Sequence, residues 1–199
     1  MPKIVDHEKR KVEIAEATWK VIVNAGLEEA TVRKIAKTAN LSVGSLRHYF
    51  STQSELLAFS MQLVSNRVKN RIENKNYDGP PLKAMHDLLC EFLPIDEDRR
   101  IEMEVWMVFS TRTLVDPDLK DVSEQVYEEI YRACAIVIDR LTDLGLVSPK
   151  LDNNMETERL YALVDGMALH SLLHPERFTV QKMQAALTYH LEKLCEHTD

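Results

Sequence analysis

The segment Thr31–Phe50, TVRKIAKTANLSVGSLRHYF, predicts two short helices joined by a tight turn. Thr31 and Ser42 each stand directly before one of the two helical patterns, where a hydroxyl side chain caps the first turn of a helix. Ala36 is small enough for two helices to cross closely, and Asn40, four residues later, tolerates the left-handed conformation of a sharp turn. This arrangement indicates a helix-turn-helix unit.

The second of these helices is too short to be stable alone, but its length suits a DNA major groove. Leu41, Leu46 and Phe50 are predicted to hold it inward, so that the opposite side faces outward. Arg47 on that side can form a bidentate pair with guanine, and side-chain donors and helix N-termini can bind phosphate. The residues predicted to bind DNA are Thr31, Arg33, Ser42, Val43, Gly44, Ser45, Arg47, His48, Tyr49 and Gln53. The alternative is a generic helical hairpin whose polar side is merely solvated.

The composition of the chain favours an all-α fold. Its 199 residues include 5 glycines and 7 prolines, helix-forming residues are abundant, and no long alternating run of β-branched residues suggests a sheet. The net charge of −7 is unevenly distributed, because residues 1–51 hold nine basic and six acidic side chains, or +3, and the remainder carries −10. A mildly basic end on an acidic body suits a protein that touches phosphate with one end.

About nine helices are predicted along the chain. Thr52–Glu55 has the pattern of a capping box that opens a long fourth helix, and YDGPP at Tyr77–Pro81 ends that helix. The predicted helices cover about residues 7–25, 32–39, 43–50, 52–76, 82–93, 98–114, 117–144, 155–174 and 179–197. Residues 1–51 are expected to form a DNA-binding domain and residues 52–199 a ligand-binding and dimerisation domain, with helix 52–76 connecting the two.

The stretch TVRKIAKTANLSVGSLRHYFSTQSELL resembles the N-terminal DNA-binding domain of the TetR family of transcriptional regulators. The matching positions are Thr31, Ile35-Ala36, Ser42, Gly44, Leu46, Tyr49-Phe50 and Glu55-Leu56-Leu57. The sequence departs from the family pattern at Asn40, where glycine is usual, at Arg47, where tyrosine is usual, and at Gln53, where a phosphate-contacting lysine is frequent. The resemblance implies a three-helix DNA-binding head and a helical body that dimerises and holds a small-molecule pocket.

The body is more weakly similar to the effector domain of TetR relatives that include the choline-responsive repressors, on helix count, length and WMVFSTRTLVDPDL. Sulfur and aromatic side chains gather here on two successive helices and are either core or the lining of an apolar cavity. In the second case Trp106 and Tyr131 offer ring faces to a ligand, including a cationic one. Asp165 lies within an apolar helix, where it caps, pairs across a dimer or faces a ligand. The residues predicted to bind the ligand are Met103, Trp106, Met107, Tyr127, Tyr131 and Asp165.

The last two long helices are predicted to present a second apolar face to a partner. The residues assigned to that face are Leu160, Leu163, Val164, Met167, Leu187 and Leu191. Because one domain needs only one buried face on each helix, a second face indicates a homodimer with twofold symmetry, which matches a palindromic operator.

Other chemistries are less well supported by the sequence. His170 and His174 are four residues apart and share a helix face, but capping or dimer packing is the favoured interpretation and no metal site is predicted. Cys90 and Cys134 are expected in the core as reduced thiols. No nucleophile motif or glycine-rich phosphate loop is recognised, so neither enzymatic activity nor a cofactor is predicted. No apolar run approaches the length of a membrane span, and the charged N-terminal residues are unlike a signal peptide, so a cytoplasmic protein is expected.

Together these observations predict a repressor that binds a palindromic double-stranded DNA operator as a homodimer and is released by a small-molecule effector bound in the C-terminal domain. The alternative is a helical small-molecule-binding protein or enzyme whose N-terminal hairpin does not read DNA.

Overall fold

The computed structural model describes residues 7–196, and within that range the chain forms nine α-helices and no β-strand. The helices are α1 (His7–Ala25), α2 (Val32–Thr38), α3 (Val43–Tyr49), α4 (Gln53–Asn74), α5 (Pro81–Leu89), α6 (Glu97–Thr113), α7 (Lys120–Asp143), α8 (Asn153–Leu173) and α9 (Val180–Cys195). Short 3-10 helices occupy Leu27–Glu29, Cys90–Phe92 and Pro117–Leu119. The predicted all-α class is confirmed.

The predicted helix bounds differ from the observed ones where a capping residue acts earlier or later than expected. Asp152 accepts a hydrogen bond from the amide of Met155 at 3.1 Å, so α8 begins at Asn153. Asp116 caps a 3-10 turn first, and the α-helical part of that segment therefore begins at Lys120 instead of Pro117. The predicted end of the last helix near residue 197 lies outside the described residues.

The chain divides into two compact units, which are described separately. The first contains the residues up to Arg67 together with Glu104–Glu124, and the second contains Val68–Met103 and the residues from Gln125 onward. The divisions fall inside α4, α6 and α7.

The core of the first unit is built from the inner faces of α1 to α4. On α1, Ala15, Trp19 and Ile22 are buried, as their spacing of three and four residues predicts. The indole Nε1 of Trp19 donates a hydrogen bond to the carbonyl oxygen of Ser60 on α4 at 3.2 Å, which satisfies its polar atom inside the core. Leu46 and Phe50 are buried below α3, and each such side chain contributes about 1.5–3 kcal/mol through burial.

The predicted helix-turn-helix geometry is confirmed between α2 and α3. The hydroxyl oxygens of Thr31 and Ser42 accept hydrogen bonds from the amides three residues later, at 3.3 and 3.0 Å. Asn40 has a φ of 53°, within the left-handed region, and Ala36 is buried where the helices cross. Leu41 differs from expectation, because it is only partly buried.

The capping box predicted at the start of α4 is extended by the preceding residue, Ser51. The hydroxyl of Thr52 accepts a hydrogen bond from the amide of Glu55 at 3.0 Å, as expected. The carboxylate of Glu55 accepts hydrogen bonds from the amide and the hydroxyl of Ser51 at 2.7 and 2.8 Å, and the backbone amide of Thr52 adds a weaker one. These bonds lower the pKa of Glu55.

The second unit corrects the predicted dimer face. Five of the six residues assigned to it are buried within the single chain, namely Leu160, Val164, Met167, Leu187 and Leu191. The prediction was wrong because this stripe is the core side of α8 and α9, which pack on each other within the unit. Leu163 is partly exposed.

A different stripe of α8 consists of small and apolar residues on the surface of the single chain. Its members are Met155, Ala162, Gly166, Leu169 and Leu173, at spacings of seven, four, three and four residues, and they lie opposite the buried stripe. Met155 is 57% exposed and Leu173 is 61% exposed. Within the described part of the chain, no helix has the length and apolar composition of a membrane span.

Candidate nucleic-acid interface and effector site

Helix α3 presents one side to the core and the other to solvent. Leu46 and Phe50 fix its inner side, and Ser42 caps its first turn. The outer side exposes the predicted DNA-binding residues Val43, Gly44, Ser45, Arg47 and His48. Within residues 7–196 neither Arg33 nor Arg47 forms an ion pair, so both guanidinium groups are available to an external anion or base.

Gly44 has no internal reason to lack a side chain. Its backbone is not in the left-handed region, and a Cβ atom built on it would have the Oγ of Ser42 as its nearest neighbour, at an ordinary 3.8 Å. Glycine in a helix costs about 0.5–1 kcal/mol relative to alanine. The missing side chain therefore leaves space on the outer side of α3 for a closely approaching partner.

An aromatic cluster supports the C-terminal end of α3. The ring of His7, at the start of α1, lies 4.7 Å from the ring of Tyr49 and 6.1 Å from that of His48. His48 and Tyr49 also contact each other edge to face at 5.6 Å. His7 is absent from the residues predicted from the sequence, because no local pattern indicates that the first turn of α1 reaches α3.

Several predicted DNA contacts also have internal hydrogen bonds. The side-chain amide of Gln53 donates to the carbonyl oxygen of Ala30 at 2.9 Å, which fixes the start of α4 against the segment before α2. Ser42 and Ser45 share a hydroxyl–hydroxyl contact of 2.9 Å. Thr31 accepts the capping bond described above and keeps its hydroxyl proton for an external acceptor.

In the second unit, three tyrosine rings form a cluster on facing sides of α7 and α8. Tyr127 and Tyr131, one turn apart on α7, stack with their ring centroids 6.0 Å apart. Tyr161 on α8 lies 4.9 Å from Tyr127 and 6.4 Å from Tyr131. The structure thus brings the two predicted tyrosines together with a third, Tyr161, which was not predicted although it stands four residues before Asp165.

Asp165 lies beside this cluster, one helical turn after Tyr161. Burial raises the pKa of its carboxyl group, whereas a hydrogen bond with the Tyr161 side chain acts in the opposite direction. Burial and the nearby Asp165 also raise the pKa of Tyr161 and bring that of Cys134 to about 12, so both groups keep their protons. Among the described residues no lysine or arginine forms an ion pair with Asp165. A carboxylate among ring faces, without a basic partner, has the chemistry to bind a cation.

The predicted ligand residues of α6 lie outside the buried core. Met103, Trp106 and Met107 are all partly exposed, whereas Val105 and Phe109 on the same helix are buried. The ring of Trp106 stacks on that of Phe109 at 6.1 Å. Trp106 and Met107 belong to the first unit and Met103 to the second.

His170 and His174 lie with their rings stacked at 6.5 Å. Residues 7–196 contain no group of three or more histidine, cysteine or acidic side chains that could hold a metal ion. Cys90 and Cys134 are buried, as predicted.

The matches to protein-family models cover both parts of the chain. Residues 14–58 match the tetR family of bacterial regulatory proteins, and residues 81–196 match the C-terminal part of BetI-type transcriptional repressors. The chain is also 43% identical to the HTH-type transcriptional regulator PksA of Bacillus subtilis (strain 168), over 98% of this chain and 94% of that protein.

Solved structures of regulators have the same fold. One from Rhodococcus sp. Rha1 matches with a TM-score of 0.81 and 27% identity, over 92% of this chain and 95% of that one. A regulator from Saccharomonospora viridis in complex with choline matches with a TM-score of 0.80 and 21% identity, over 93% of this chain and 96% of that one, which shows the fold alone. The family that these matches describe is one of regulators and not of enzymes. With its capped helix-turn-helix and its family matches in both parts, the chain belongs to the TetR family of transcriptional regulators, with a DNA-binding N-terminal domain and a BetI-type ligand-binding C-terminal domain.

Proposed function

We propose that this regulator represses transcription by binding a palindromic operator as a homodimer, and that a small organic cation bound in the C-terminal domain releases it. The observation that carries the effector proposal is the cluster of Tyr127, Tyr131 and Tyr161 beside Asp165, which has no basic partner among residues 7–196. Ring faces attract a cation by about 0.5–2 kcal/mol each, and the carboxylate neutralises its charge. The choline complex of the Saccharomonospora viridis regulator supports choline as the first ligand to try.

DNA binding is assigned to the outer side of α3. Arg47 is the proposed base-reading residue, because it is exposed, has no ion-pair partner within the described range and stands on the short helix that fits a major groove. Arg33, Thr31 and the residues near the capped start of α3 are proposed to bind phosphates. Gly44 supports this assignment, since its missing side chain leaves room for close approach.

The homodimer is assigned to the outer apolar stripe of α8. Ala162 and Gly166 are small enough for a second helix to approach closely, and Met155, Leu169 and Leu173 supply apolar contact on the same side. A twofold arrangement closes this interface and presents two α3 helices to the two halves of a palindrome. We propose that the regulator acts in the cytoplasm, where its operator is.

The effector proposal is tested by titrating the wild type with choline and with 3,3-dimethylbutan-1-ol, which has the same shape and no charge. Choline is expected to bind at least ten times more tightly than the neutral alcohol. Asp165→Asn is expected to remove this preference, and Tyr161→Phe is the matched control that keeps the ring. Equal binding of both molecules by the wild type would contradict the assignment of Asp165 to a cation.

The link to DNA is measured by fluorescence anisotropy with an operator fragment selected from random DNA. Coupling of about 1–3 kcal/mol would make choline weaken operator binding about 5- to 150-fold. Met103, Trp106 and Met107 of α6 remain predicted ligand contacts. Trp106→Phe tests this prediction, and it should change the affinity for choline if α6 belongs to the ligand site. If choline binds and operator affinity does not change, the tyrosine cluster is not a regulatory site.

A further inference from the structure

The last turn of α4 is held in the second unit by a cluster of charges whose two carboxylates are buried. The guanidinium of Arg71 donates two hydrogen bonds to the carboxylate of Glu102, at 2.9 and 2.7 Å, and a third to Glu91 at 3.2 Å. Lys75 and Arg99 complete the cluster by donating to Glu91 at 2.7 and 2.5 Å. Glu91 is 1% exposed and Glu102 is 5% exposed.

This cluster joins three segments of the second unit. Arg71 comes from α4, Glu91 from the 3-10 helix after α5, and Glu102 from the early turns of α6. Burial alone would raise the pKa of Glu91, but hydrogen bonds from Lys75 and Arg99 lower it, so the carboxylate stays charged and held. Ion pairs of this kind add little net stability because both charges are desolvated, but separating the partners leaves a buried charge unpaired at a high cost in free energy.

The preceding turn of α4 is attached to α1 within the first unit. Arg67 forms an ion pair with Glu16 on α1, and its guanidinium lies over the ring of Trp19 at 4.6 Å. Trp19 is itself fixed by its hydrogen bond to Ser60. Arg67 and Arg71 are four residues apart, so they lie on one face of a continuous helix with a rise of about 6 Å between them.

We propose that Arg71 is the positioning residue that couples the C-terminal domain to the DNA-binding helices; this inference rests on the effector-controlled DNA binding proposed above. Glu102 directly precedes Met103, so a ligand that displaces α6 displaces the anchor of Arg71. Because the planar guanidinium holds Glu102 in two places, the last turn of α4 follows. Arg67 then carries the displacement into α1 and the helices packed on it.

The test compares substitutions on one helix. Arg71→Met removes the link but leaves two buried carboxylates with fewer partners, so the main variant is Arg71→Met combined with Glu102→Gln, in which Glu91 keeps Lys75 and Arg99. Arg71→Lys keeps the charge and loses the two-point contact. Lys69→Met is the matched control, because Lys69 lies on α4 and, among residues 7–196, forms only an exposed pair with Glu73 at 3.9 Å.

Coupling between two sites is reciprocal, so operator binding at the DNA-binding helices should also affect the segment that holds Glu91 and Glu102. Hydrogen exchange with and without the selected operator fragment measures this effect and needs no effector. In the wild type and in Lys69→Met, the operator should slow exchange by at least threefold in residues 90–102. In the double variant this protection should disappear, while its operator affinity stays within about threefold of wild type, and Arg71→Lys should lie between. Choline, where it weakens operator binding by the wild type, should do so by less than twofold in the double variant.

Four results separate the possible failures. Wild-type protection in the double variant would overturn the role of Arg71, and so would a folded double variant that no longer binds the operator, because Arg71 would then maintain the head itself. A wild type that binds no selected fragment would contradict the proposed function, and with it this inference. A wild type that binds the operator and ignores choline would contradict the effector proposal alone, since the exchange measurement still decides for or against Arg71.

Discussion

Gly44→Ala is expected to make the protein more stable and a weaker DNA binder. The residue is exposed in the first turn of α3, and the added Cβ atom would meet nothing closer than the Oγ of Ser42 at 3.8 Å. Alanine therefore fits the free protein without strain. A glycine needed for the fold would lose stability on substitution. A glycine needed only for DNA binding should gain stability and lose operator affinity.

The two effects have predictable sizes. Replacing an unstrained helical glycine by alanine stabilises a helix by about 0.5–1 kcal/mol, and 1 kcal/mol raises the melting temperature of a chain of this length by about 2–4 °C. An extra methyl group in a close-packed contact costs about 1–3 kcal/mol, which corresponds to about 5- to 150-fold in affinity. A homodimer brings two such methyl groups to one operator, so the losses add.

The assay is thermal unfolding and operator anisotropy on the same preparations at one salt concentration. Asn24→Ala, in the exposed last turn of α1, is the control, because it also improves helix propensity and should leave operator affinity unchanged. If Gly44→Ala is more stable and binds the operator as tightly as wild type, the outer side of α3 does not approach DNA and the reasoning fails.

Three further changes have defined outcomes. Arg47→Ala should cost about 1–3 kcal/mol of specific operator binding while nonspecific binding changes less, and equal footprints for mutant and wild type would exclude Arg47 as a base reader. Gly166→Ala should weaken the dimer by at least fivefold in sedimentation equilibrium, because it adds a Cβ atom to the outer stripe of α8, and an unchanged dimer would remove that stripe from the interface. Asp165→Asn should stabilise the protein near neutral pH, because burial raises the pKa of the native carboxyl above that of the unfolded chain. The free energy of unfolding of the wild type therefore falls as pH rises from the pKa of the unfolded chain through the higher pKa of the folded one. In denaturant titrations the stability advantage of Asp165→Asn over the wild type should shrink as pH is lowered toward 4.

The parts of the fold that the sequence predicted are those governed by local rules. Thr31 and Ser42 cap helices because a hydroxyl before a helical pattern reaches the amide three residues later, whatever the rest of the chain does. Asn40 takes a positive φ because few other side chains tolerate it. These rules were sufficient to identify the helix-turn-helix.

The parts that were missed depend on contacts between distant segments. Arg71 meets Glu91 and Glu102 across 20 and 31 residues of sequence, and no periodicity reports such a pairing. The face of α8 was assigned wrongly for a related reason. Two apolar stripes with the same spacing run along this helix, and packing against other helices of the unit decides that Leu160 and Val164 lie inside while Met155 and Leu173 lie outside.

The most direct test of a DNA-reading dimer is the selection of random double-stranded DNA by the full chain, followed by sequencing of the bound fragments. The wild type is expected to enrich an inverted repeat whose half-site centres lie about 10 base pairs apart or a multiple of that spacing, because each protomer presents one α3 to one major groove. Fragments without a shared sequence, or with a single unrepeated site, would contradict it.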